Sequence, residues 1–227
     1  MFNIKSASEN SIIIYFGDQM SPALIEKISF YCQLLTDKLA DVIIDVVPSY
    51  TSLLISYKLN LINNEDVCDR IEKYLLSHDI DTVESRSKLI EIPVYYDCDV
   101  GLDLEELLSE KQLSLEEFIA IHSSKEYLVY AIGFSPAFAF LGEVDERIRK
   151  NRLPSPRIEI PAGSVGIADN QTAVYPINSS GGWNIIGRSP LDFSLDNPDN
   201  LKHFSVGDSI RFLPIDKDEY LALGGIA

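Results

Sequence analysis

A serine at a predicted turn is the first residue of this sequence that suggests chemistry. Ser135 stands in the stretch Gly133-Phe134-Ser135-Pro136-Ala137, which follows an apolar run and differs by one residue from the G-x-S-x-G turn of serine hydrolases. In that turn, the backbone N–H of the residue after the serine helps to stabilise the tetrahedral intermediate. Here that residue is Pro136, which has no N–H to donate. We therefore do not expect Ser135 to be a hydrolytic nucleophile.

Three charged or titratable residues of the second half are candidates for binding an anion or moving a proton. His122 precedes the apolar run EYLVYAI, so its imidazole either carries protons near neutral pH or has a structural role at a helix end. Arg157 and Arg188 either hold a carboxylate or phosphate through paired guanidinium donors, or balance nearby Asp and Glu residues. The sequence leaves both pairs of alternatives open.

A Gly-Gly-Trp stretch is a third candidate. Gly181 and Gly182 precede Trp183. Because glycine has no side chain, the backbone N–H groups of these two residues are uncovered beside the flat apolar ring of the tryptophan. Such a stretch either binds an anion on a small ring or forms a tight turn packed by a core tryptophan.

The composition argues against nucleic acids and membrane surfaces as partners. The 227 residues include 19 Lys and Arg against 35 Asp and Glu, which gives a formal net charge of −16. This charge repels a phosphate backbone or an anionic bilayer. The first residues contain no apolar core of signal-peptide length, and no later run approaches the roughly 20 apolar residues that span a bilayer. We therefore expect a cytoplasmic protein.

The cysteines predict neither a disulfide nor a metal site. Cys32, Cys68 and Cys98 are odd in number and contain no C-x-x-C pair. Cys32 and Cys68 occupy apolar positions of predicted helices, where a buried thiol acts as a small hydrophobic group. Cys98 lies between two aspartates, whose charge raises the pKa of the thiol and makes it a poor nucleophile.

The chain changes character near residue 95. Eleven of its twelve glycines stand at or after Gly101, and eight of its eleven prolines follow that residue. The first half predicts a strand SIIIYF, a helix over 21–39, strands DVIIDVV and SLLISY, a helix over 64–76 and a strand KLIEIPV. This β-α-β-β-α-β order is the ferredoxin-like pattern, so we expect a ferredoxin-like docking domain over residues 1–90.

The second half predicts two short helices followed by an all-β domain. Ser114, with Glu117 three residues later, is a capping box that begins the second of these helices. The runs EYLVYAI, RIEI, SVGIA, TAVYP, WNIIG and SIRFLPI are separated by Gly, Pro, Asn and Asp turns. This pattern is typical of a barrel or sandwich, and we place the domain at residues 91–227.

Four segments of the sequence occur in the order that one known family has. They are IHSSKEYLVYAIGFSPAFAFLG, LPSPRIEIPAGSVGIA, YPINSSGGWNIIGRSP and FSVGDSIRFLPI. Together they resemble the allophanate hydrolase subunit 1 family, which also includes KipI and the 5-oxoprolinase subunit PxpB, over about residues 90–215. The resemblance implies that the second domain is a cyclophilin-like β-barrel, and the ferredoxin-like first half agrees with the family layout.

The resemblance also implies a function and partners. It implies a subunit of an ATP-dependent 5-oxoprolinase, which opens 5-oxoproline to glutamate with a larger allophanate hydrolase subunit 2-like (PxpC/KipA-type) subunit and a third, PxpA-type subunit. A related pair forms the carboxyltransferase part of urea carboxylase. One branch of the family instead inhibits a sporulation histidine kinase, so the alternative function that the resemblance implies is a regulatory protein that binds such a kinase. The sequence has no G-x-x-x-x-G-K-[ST] or G-x-G-x-x-G stretch, so we expect ATP to bind unconventionally, at the partner interface, or on the partner. We expect the isolated chain to be nearly inert.

We expect the unusual residues to converge on one face of the barrel. An anionic lactam or its phosphorylated form needs backbone donors, a cation and a base within one cleft. The predicted site therefore comprises His122 as the catalytic residue and, for substrate binding, Arg157, Arg188, Gly181, Gly182, Trp183, Gly133, Phe134, Pro136, Gly163 and Ser164.

Four positions depart from the usual residues of the family. Ala137 stands where the family has glycine, Phe140 where it has tyrosine, Ser180 where it has proline and Ser189 where it has threonine. We expect strain at Ala137 if the backbone there has a positive φ. Phe140 removes a hydroxyl group that could donate a proton or a hydrogen bond.

Overall fold

The chain forms two compact units, Met1–Arg86 and Ser87–Ala227. A computed structural model describes residues 2–78, 87–193 and 204–226. The first unit contains β1 (Asn3–Ser8), β2 (Ser11–Tyr15), α1 (Pro22–Lys38), β3 (Ile43–Ser49), β4 (Ser52–Tyr57) and α2 (Asn64–Ser77). The second contains β5 (Leu89–Tyr95), α3 (Leu104–Lys111), α4 (Leu115–Ser123), β6 (Glu126–Ile132), β7 (Ala139–Gly142), β8 (Arg157–Ile160), β9 (Ser164–Ala168), β10 (Gln171–Val174), β11 (Ser179–Gly181), β12 (Asn184–Arg188), β13 (Ser209–Ile215) and α5 (Lys217–Ala222).

The first unit is an antiparallel sheet with a helical layer on one face. Its strand order is β1-β2-β4-β3. Side chains two residues apart in a strand, such as Ile12 and Ile14, form one buried core with Ile28 and Leu35 of α1 and Ile71 of α2. The period of two in the strands and of three to four in the helices places these side chains on facing surfaces.

The ferredoxin-like arrangement expected for residues 1–90 is not confirmed, because one strand belongs elsewhere. The segment predicted as its last strand is β5, which lies in the second unit and runs parallel to β13 along its whole length. The edge position beside β2 is taken by β1, whose polar and mostly exposed side chains give no strand pattern. The alternation in β5 predicts a half-buried strand, but it does not say which sheet the strand joins.

Seven strands of the described residues close into a β-barrel in the second unit. Their order is β6-β13-β5-β12-β9-β10-β7, and β7 also pairs with β6. Closure leaves no free sheet edge in the barrel and confirms the predicted all-β barrel. The predicted capping box at the start of α4 is also present: Ser114 Oγ accepts from the Glu117 N–H at 3.2 Å, and the Glu117 carboxylate accepts from the Ser114 N–H at 2.8 Å.

A separate ribbon of β8 and β11 is fixed by an ion pair between a partly buried arginine and a buried carboxylate. Arg157 stands opposite Gly181 in this ribbon, and its guanidinium donates to both oxygens of Asp103, at 2.9 and 2.6 Å. Asp103 is only 4% exposed, and one of its oxygens also accepts from the Ile185 N–H of β12 at 2.6 Å. Of the two alternatives for Arg157, the structure therefore supports charge balance, because the anion that it holds belongs to the chain itself.

We expect Arg157→Gln to lower the free energy of unfolding of the second unit by about 3 kcal/mol, because Asp103 would keep a buried charge without its partner. Urea unfolding followed by the fluorescence of Trp183, the single tryptophan of the sequence, measures this loss. The matched control is Arg147→Gln, which breaks an exposed pair with Asp145 that also has two hydrogen bonds, each 2.9 Å long and donated by Nε and Nη2. We expect the control to change stability little, and equal losses for both variants would contradict the role of burial.

Candidate functional site

A cavity of about 270 Å³ lies in the second unit. Its walls come from the turn between β6 and β7, the segment before β8, the end of β10, and the stretch that joins β11 to β12. Five of its residues are aromatic and one is a cation. They are Phe134, Phe138, Phe140, Tyr175 and Trp183, with Arg152, Leu153, Pro156, Gly181 and Gly182.

The aromatic wall is built around one buried ring. Phe138 is 1% exposed and makes edge-to-face contacts with Phe140, Tyr175 and Trp183, at centroid distances of 4.8, 5.2 and 5.7 Å. Phe134 adds a fourth edge-to-face contact at 5.2 Å. These geometries are the favoured ones for aromatic pairs, so each contact stabilises the arrangement of the rings.

The turn between β6 and β7 holds Phe134 in a strained backbone conformation. The Gly133 N–H donates to the Phe138 carbonyl at 3.0 Å, and the Phe138 N–H donates to the Ser135 carbonyl at 3.1 Å. Between them Phe134 has a φ of 72° and Ala137 a φ of 65°. This left-handed region disfavours residues with a side chain. The strain expected at Ala137 is therefore present, and strained backbone of this kind occurs often at binding sites.

Gly181 allows close packing beside the cavity. A Cβ at Gly181 would collide with the hydroxyl of Tyr175 and would lie 2.9 Å from Ile160 Cδ1. The Gly182 carbonyl accepts from the Leu153 N–H at 2.8 Å, which joins the two sides of the cavity. Of the two alternatives for the Gly-Gly-Trp stretch, the structure supports a tight turn packed by a buried tryptophan, and this turn itself lines the cavity.

Arg152 is the cationic residue of the cavity, and no sequence motif points to it. Its guanidinium lies 5.9 Å from the centre of the Trp183 ring. Among the residues that the structure describes, no carboxylate pairs with Arg152. It precedes the motif-bearing segment that starts at Leu153, so only the folded chain reveals its position.

Tyr175 is a second site residue absent from the predicted set, although the tyrosine-proline pair that contains it is part of the family pattern. Its ring is buried, and burial raises the pKa of the hydroxyl to about 12. Tyr175 therefore stays protonated at neutral pH and retains a hydroxyl proton that it can donate.

His122 does not line the cavity. Its imidazole is fully buried and stacks on Phe212 at a centroid distance of 4.7 Å. Tyr96 donates its hydroxyl proton to Nδ1 at 2.8 Å, and Nε2–H donates to Thr172 Oγ1 at 3.1 Å, since the Thr172 hydroxyl proton goes to the Gly166 carbonyl. Burial lowers the pKa of the imidazole to about 3. We therefore propose a structural role for this neutral histidine in place of the predicted proton carrier.

Arg188, at the end of β12, and Gly163, just before β9, do not line the cavity. Arg188 Nε donates to the Ala162 carbonyl at 2.9 Å, and Nη1 donates to the Ile226 carbonyl at 3.1 Å. Gly163 has a φ of 81°, and a Cβ there would collide with the carbonyl of Ser189. The structure therefore does not bring these two predicted binding residues, or Arg157, to the wall that contains Trp183.

The remaining predicted residues shape turns. Gly133 and Pro136 form the strained turn without lining the cavity, and Ser164 is 1% exposed at the start of β9. Ser135 Oγ is buried and has no hydrogen-bond partner among the residues that the structure describes. No base therefore activates it, which agrees with the expectation that Ser135 is not a nucleophile.

Two further features are absent from residues 2–78, 87–193 and 204–226. This part of the chain holds no group of three or more His, Cys, Asp and Glu residues that could bind a metal ion. None of its helices has both the length and the apolar character needed to cross a membrane.

We expect the buried His122 to make the protein sensitive to acid. Its pKa is about 3 in the folded chain against an ordinary value of 6.5, so the unfolded chain binds the additional proton between these values. Stability is therefore lost as the pH falls below 6.5, by up to about 1.4 kcal/mol per pH unit. In His122→Gln, whose amide can still bond to Tyr96 and Thr172, this slope should be smaller. Urea unfolding between about pH 7 and pH 5 measures it.

The control for this experiment is His78→Gln, which removes a histidine of the first unit and should leave the slope of the second unit unchanged. An identical pH slope in the wild type and in His122→Gln would contradict the neutral, buried state of His122.

We expect Ala137→Gly to raise the free energy of unfolding by about 1 kcal/mol, because glycine adopts a φ of 65° without steric cost. Chemical denaturation of the second unit measures the change. The matched control is Ala120→Gly on the exposed face of α4, where the same substitution should cost about 1 kcal/mol. Destabilisation by both substitutions would show that the turn is not strained at Ala137.

Comparison with known proteins identifies the family. The sequence model of the family described as carboxyltransferase domain, subdomain C and D, matches residues 2–200. The 5-oxoprolinase subunit PxpB of Bacillus subtilis (strain 168) is 35% identical over 233 residues, which cover 97% of this chain and 96% of that protein.

Solved structures agree with this assignment. The structure of TTHA0988 superposes with a TM-score of 0.77 at 30% identity, over 95% of this chain but only 40% of that longer chain. The Kluyveromyces lactis urea carboxylase superposes with a TM-score of 0.69 at 16% identity, over 97% of this chain and 22% of that chain, which shows a shared fold alone. The chain therefore belongs to the family of the carboxyltransferase domain, subdomain C and D, and within it to the PxpB group of 5-oxoprolinase subunits that its motifs resemble.

Proposed function

We propose that this chain is the PxpB-type subunit of an ATP-dependent 5-oxoprolinase complex, in which it binds and positions the substrate while its partners supply the nucleotide chemistry. The name of the Bacillus subtilis relative supports the reaction. The observation that carries the division of roles is the cavity, whose lining residues are five aromatic rings and one arginine but no base or nucleophile.

The proposed reaction needs positioning as much as chemistry. The lactam of 5-oxoproline is a resonance-stabilised amide, and phosphorylation of its carbonyl oxygen by ATP activates the ring for attack by water. Holding a flat ring against aromatic walls restricts its orientation, which lowers the entropic cost of the reaction. Nothing in this contribution requires a titrating side chain from the present chain.

The cavity lacks the groups that usually bind a nucleoside triphosphate. A triphosphate is usually bound by several backbone N–H groups at a helix N-terminus together with a lysine. The cavity has one arginine, and its volume of about 270 Å³ lies below the usual range for large ligands. We therefore place ATP, together with the phosphorylation step, on a partner subunit.

The proposed partners are the larger allophanate hydrolase subunit 2-like (PxpC/KipA-type) subunit and a PxpA-type subunit. The length of TTHA0988 supports a partner of this kind, because the fold of the present chain accounts for 40% of that longer chain. The histidine-kinase inhibitor expected as an alternative gains no support from the site or from the relatives.

We expect the three co-purified subunits to release ADP and glutamate in a 5-oxoproline-dependent manner, whereas the isolated chain should remain at background. The reason is that the cavity offers binding groups but neither a nucleotide site nor a base. Coupled measurement of ADP and direct measurement of glutamate test both products of the reaction.

Two results would contradict the proposal. The first is full turnover by the two partner subunits when this chain is omitted, which would remove its role. The second is rapid 5-oxoproline-dependent ATP hydrolysis by the isolated chain, which would require a nucleotide site on it. Inhibition of histidine-kinase autophosphorylation in the absence of 5-oxoproline turnover would favour the regulatory alternative.

A further inference from the structure

We propose that Arg152 selects the substrate by binding a carboxylate, so that the cavity accepts a small five-membered ring with an α-carboxylate while the ring lies against Trp183. This inference rests on the proposed function and adds to it the group that recognises the substrate. It assigns a binding role to a residue outside the sequence motifs.

The first argument is the charge of the protein. Its formal net charge of −16 gives most cations an acidic neighbour. Five arginines of the described residues pair with carboxylates, and Arg188 donates to two carbonyls. Arg152 is the remaining described arginine, and no carboxylate of the described residues pairs with it. The five that pair with carboxylates are Arg70, Arg147, Arg149, Arg157 and Arg211.

The second argument is the position of the guanidinium. Arg152 is exposed and lies over the Trp183 ring at 5.9 Å, at the border of the cavity. A cation over an indole ring is held by the negative face of the ring. The guanidinium can then present its other donors to a carboxylate, to which it can bond through two parallel hydrogen bonds.

The third argument is the shape of the cavity. A volume of about 270 Å³ suits a single small ring better than an extended ligand. Trp183 and Phe140 give flat apolar surfaces, and Phe134, which is 64% exposed, adds a ring at the turn. Together these groups contact both an apolar ring and its charged substituent.

The fourth argument is a hydrogen-bond donor for the uncharged part of the ligand. Tyr175 lines the cavity and keeps its hydroxyl proton because burial raises its pKa to about 12. A neutral phenol donates to a neutral acceptor such as a lactam carbonyl. The carboxylate of 5-oxoproline would then bind Arg152 and its lactam carbonyl would accept from Tyr175; the lactam N–H is its third polar group.

Fluorescence of the isolated full-length chain tests the binding, because the single tryptophan of the sequence lines the cavity. The probes are 5-oxoproline, its primary amide, 2-pyrrolidinone and L-proline. We expect a saturable change with 5-oxoproline at a concentration at least about 10-fold lower than with the amide or 2-pyrrolidinone, which lack the carboxylate. L-Proline keeps the carboxylate but lacks the lactam carbonyl and carries a protonated ring nitrogen, so its weaker binding tests the requirement for a neutral lactam rather than Tyr175 alone.

The variants separate the charge from the packing. We expect Arg152→Gln to weaken 5-oxoproline binding by about 10- to 100-fold and to abolish the difference between the acid and its amide. Arg152→Lys keeps the charge and should restore part of the affinity. The matched control is Arg147→Gln, an exposed arginine that does not line the cavity, which should bind like the wild type.

The assembled complex gives a second readout. Arg152→Gln should raise KM by the same factor with kcat nearly unchanged, because the residue contributes binding that is equal in the ground and transition states. Equal affinity of the wild type for the acid and the amide would overturn the inference. If the isolated chain shows no saturable change, an unaltered KM in Arg152→Gln overturns it as well.

The two proposals fail in different ways. An unaltered KM for 5-oxoproline in an active complex that contains Arg152→Gln would contradict the role of Arg152 but not the proposed function. If the chain binds 5-oxoproline through its carboxylate but the complex never turns it over, the binding site is supported and the proposed function is contradicted. If neither binding nor turnover is observed, both the role of Arg152 and the proposed function are contradicted.

Discussion

The carboxylate of Asp103 is the constraint on which the candidate site depends. It is almost fully buried, yet it accepts two hydrogen bonds from Arg157 and one from the backbone of Ile185. Arg157 stands opposite Gly181 in the ribbon, and Ile185 lies two residues beyond Trp183. One buried charge thus fixes both ends of the stretch that forms a wall of the cavity. Buried charges persist in proteins when they are paired and fully hydrogen-bonded, as this one is.

The sequence was sufficient for the barrel but not for the assignment of every strand. Short apolar runs between Gly, Pro and Asn turns predict strands with a period of two, and those in the second half lie in the barrel or its ribbon. The period is a local property, however, and β5 has the same alternation whether it joins the first sheet or the barrel. Strand β1 could not be found in this way, since an exposed edge strand of polar residues has no alternation to detect.

The site was predictable in part for a related reason. Motifs located Phe134, Gly181, Gly182 and Trp183, which line the cavity. Residue type alone suggested roles for His122, Arg157 and Arg188, but a histidine or an arginine is suited equally to a ligand and to a partner within the fold. Burial separates these alternatives, and burial follows from tertiary structure. Arg152 could not be predicted, because nothing in its local sequence distinguishes it. Only the folded chain shows that it lacks a carboxylate partner among the described residues.

The strained turn between β6 and β7 positions one aromatic ring of the cavity wall. Left-handed backbone at Phe134 and Ala137 costs about 1–2 kcal/mol at each residue. The turn places the Phe134 ring in T-shaped contact with Phe138 and Tyr175, and Phe138 in turn contacts Trp183. A wall that is already arranged loses little conformational entropy when a ligand binds, so weak contacts suffice to hold a small molecule. Under the proposed function, the subunit binds and orients the substrate, and a wall arranged in advance serves that role because restricted orientation raises the rate.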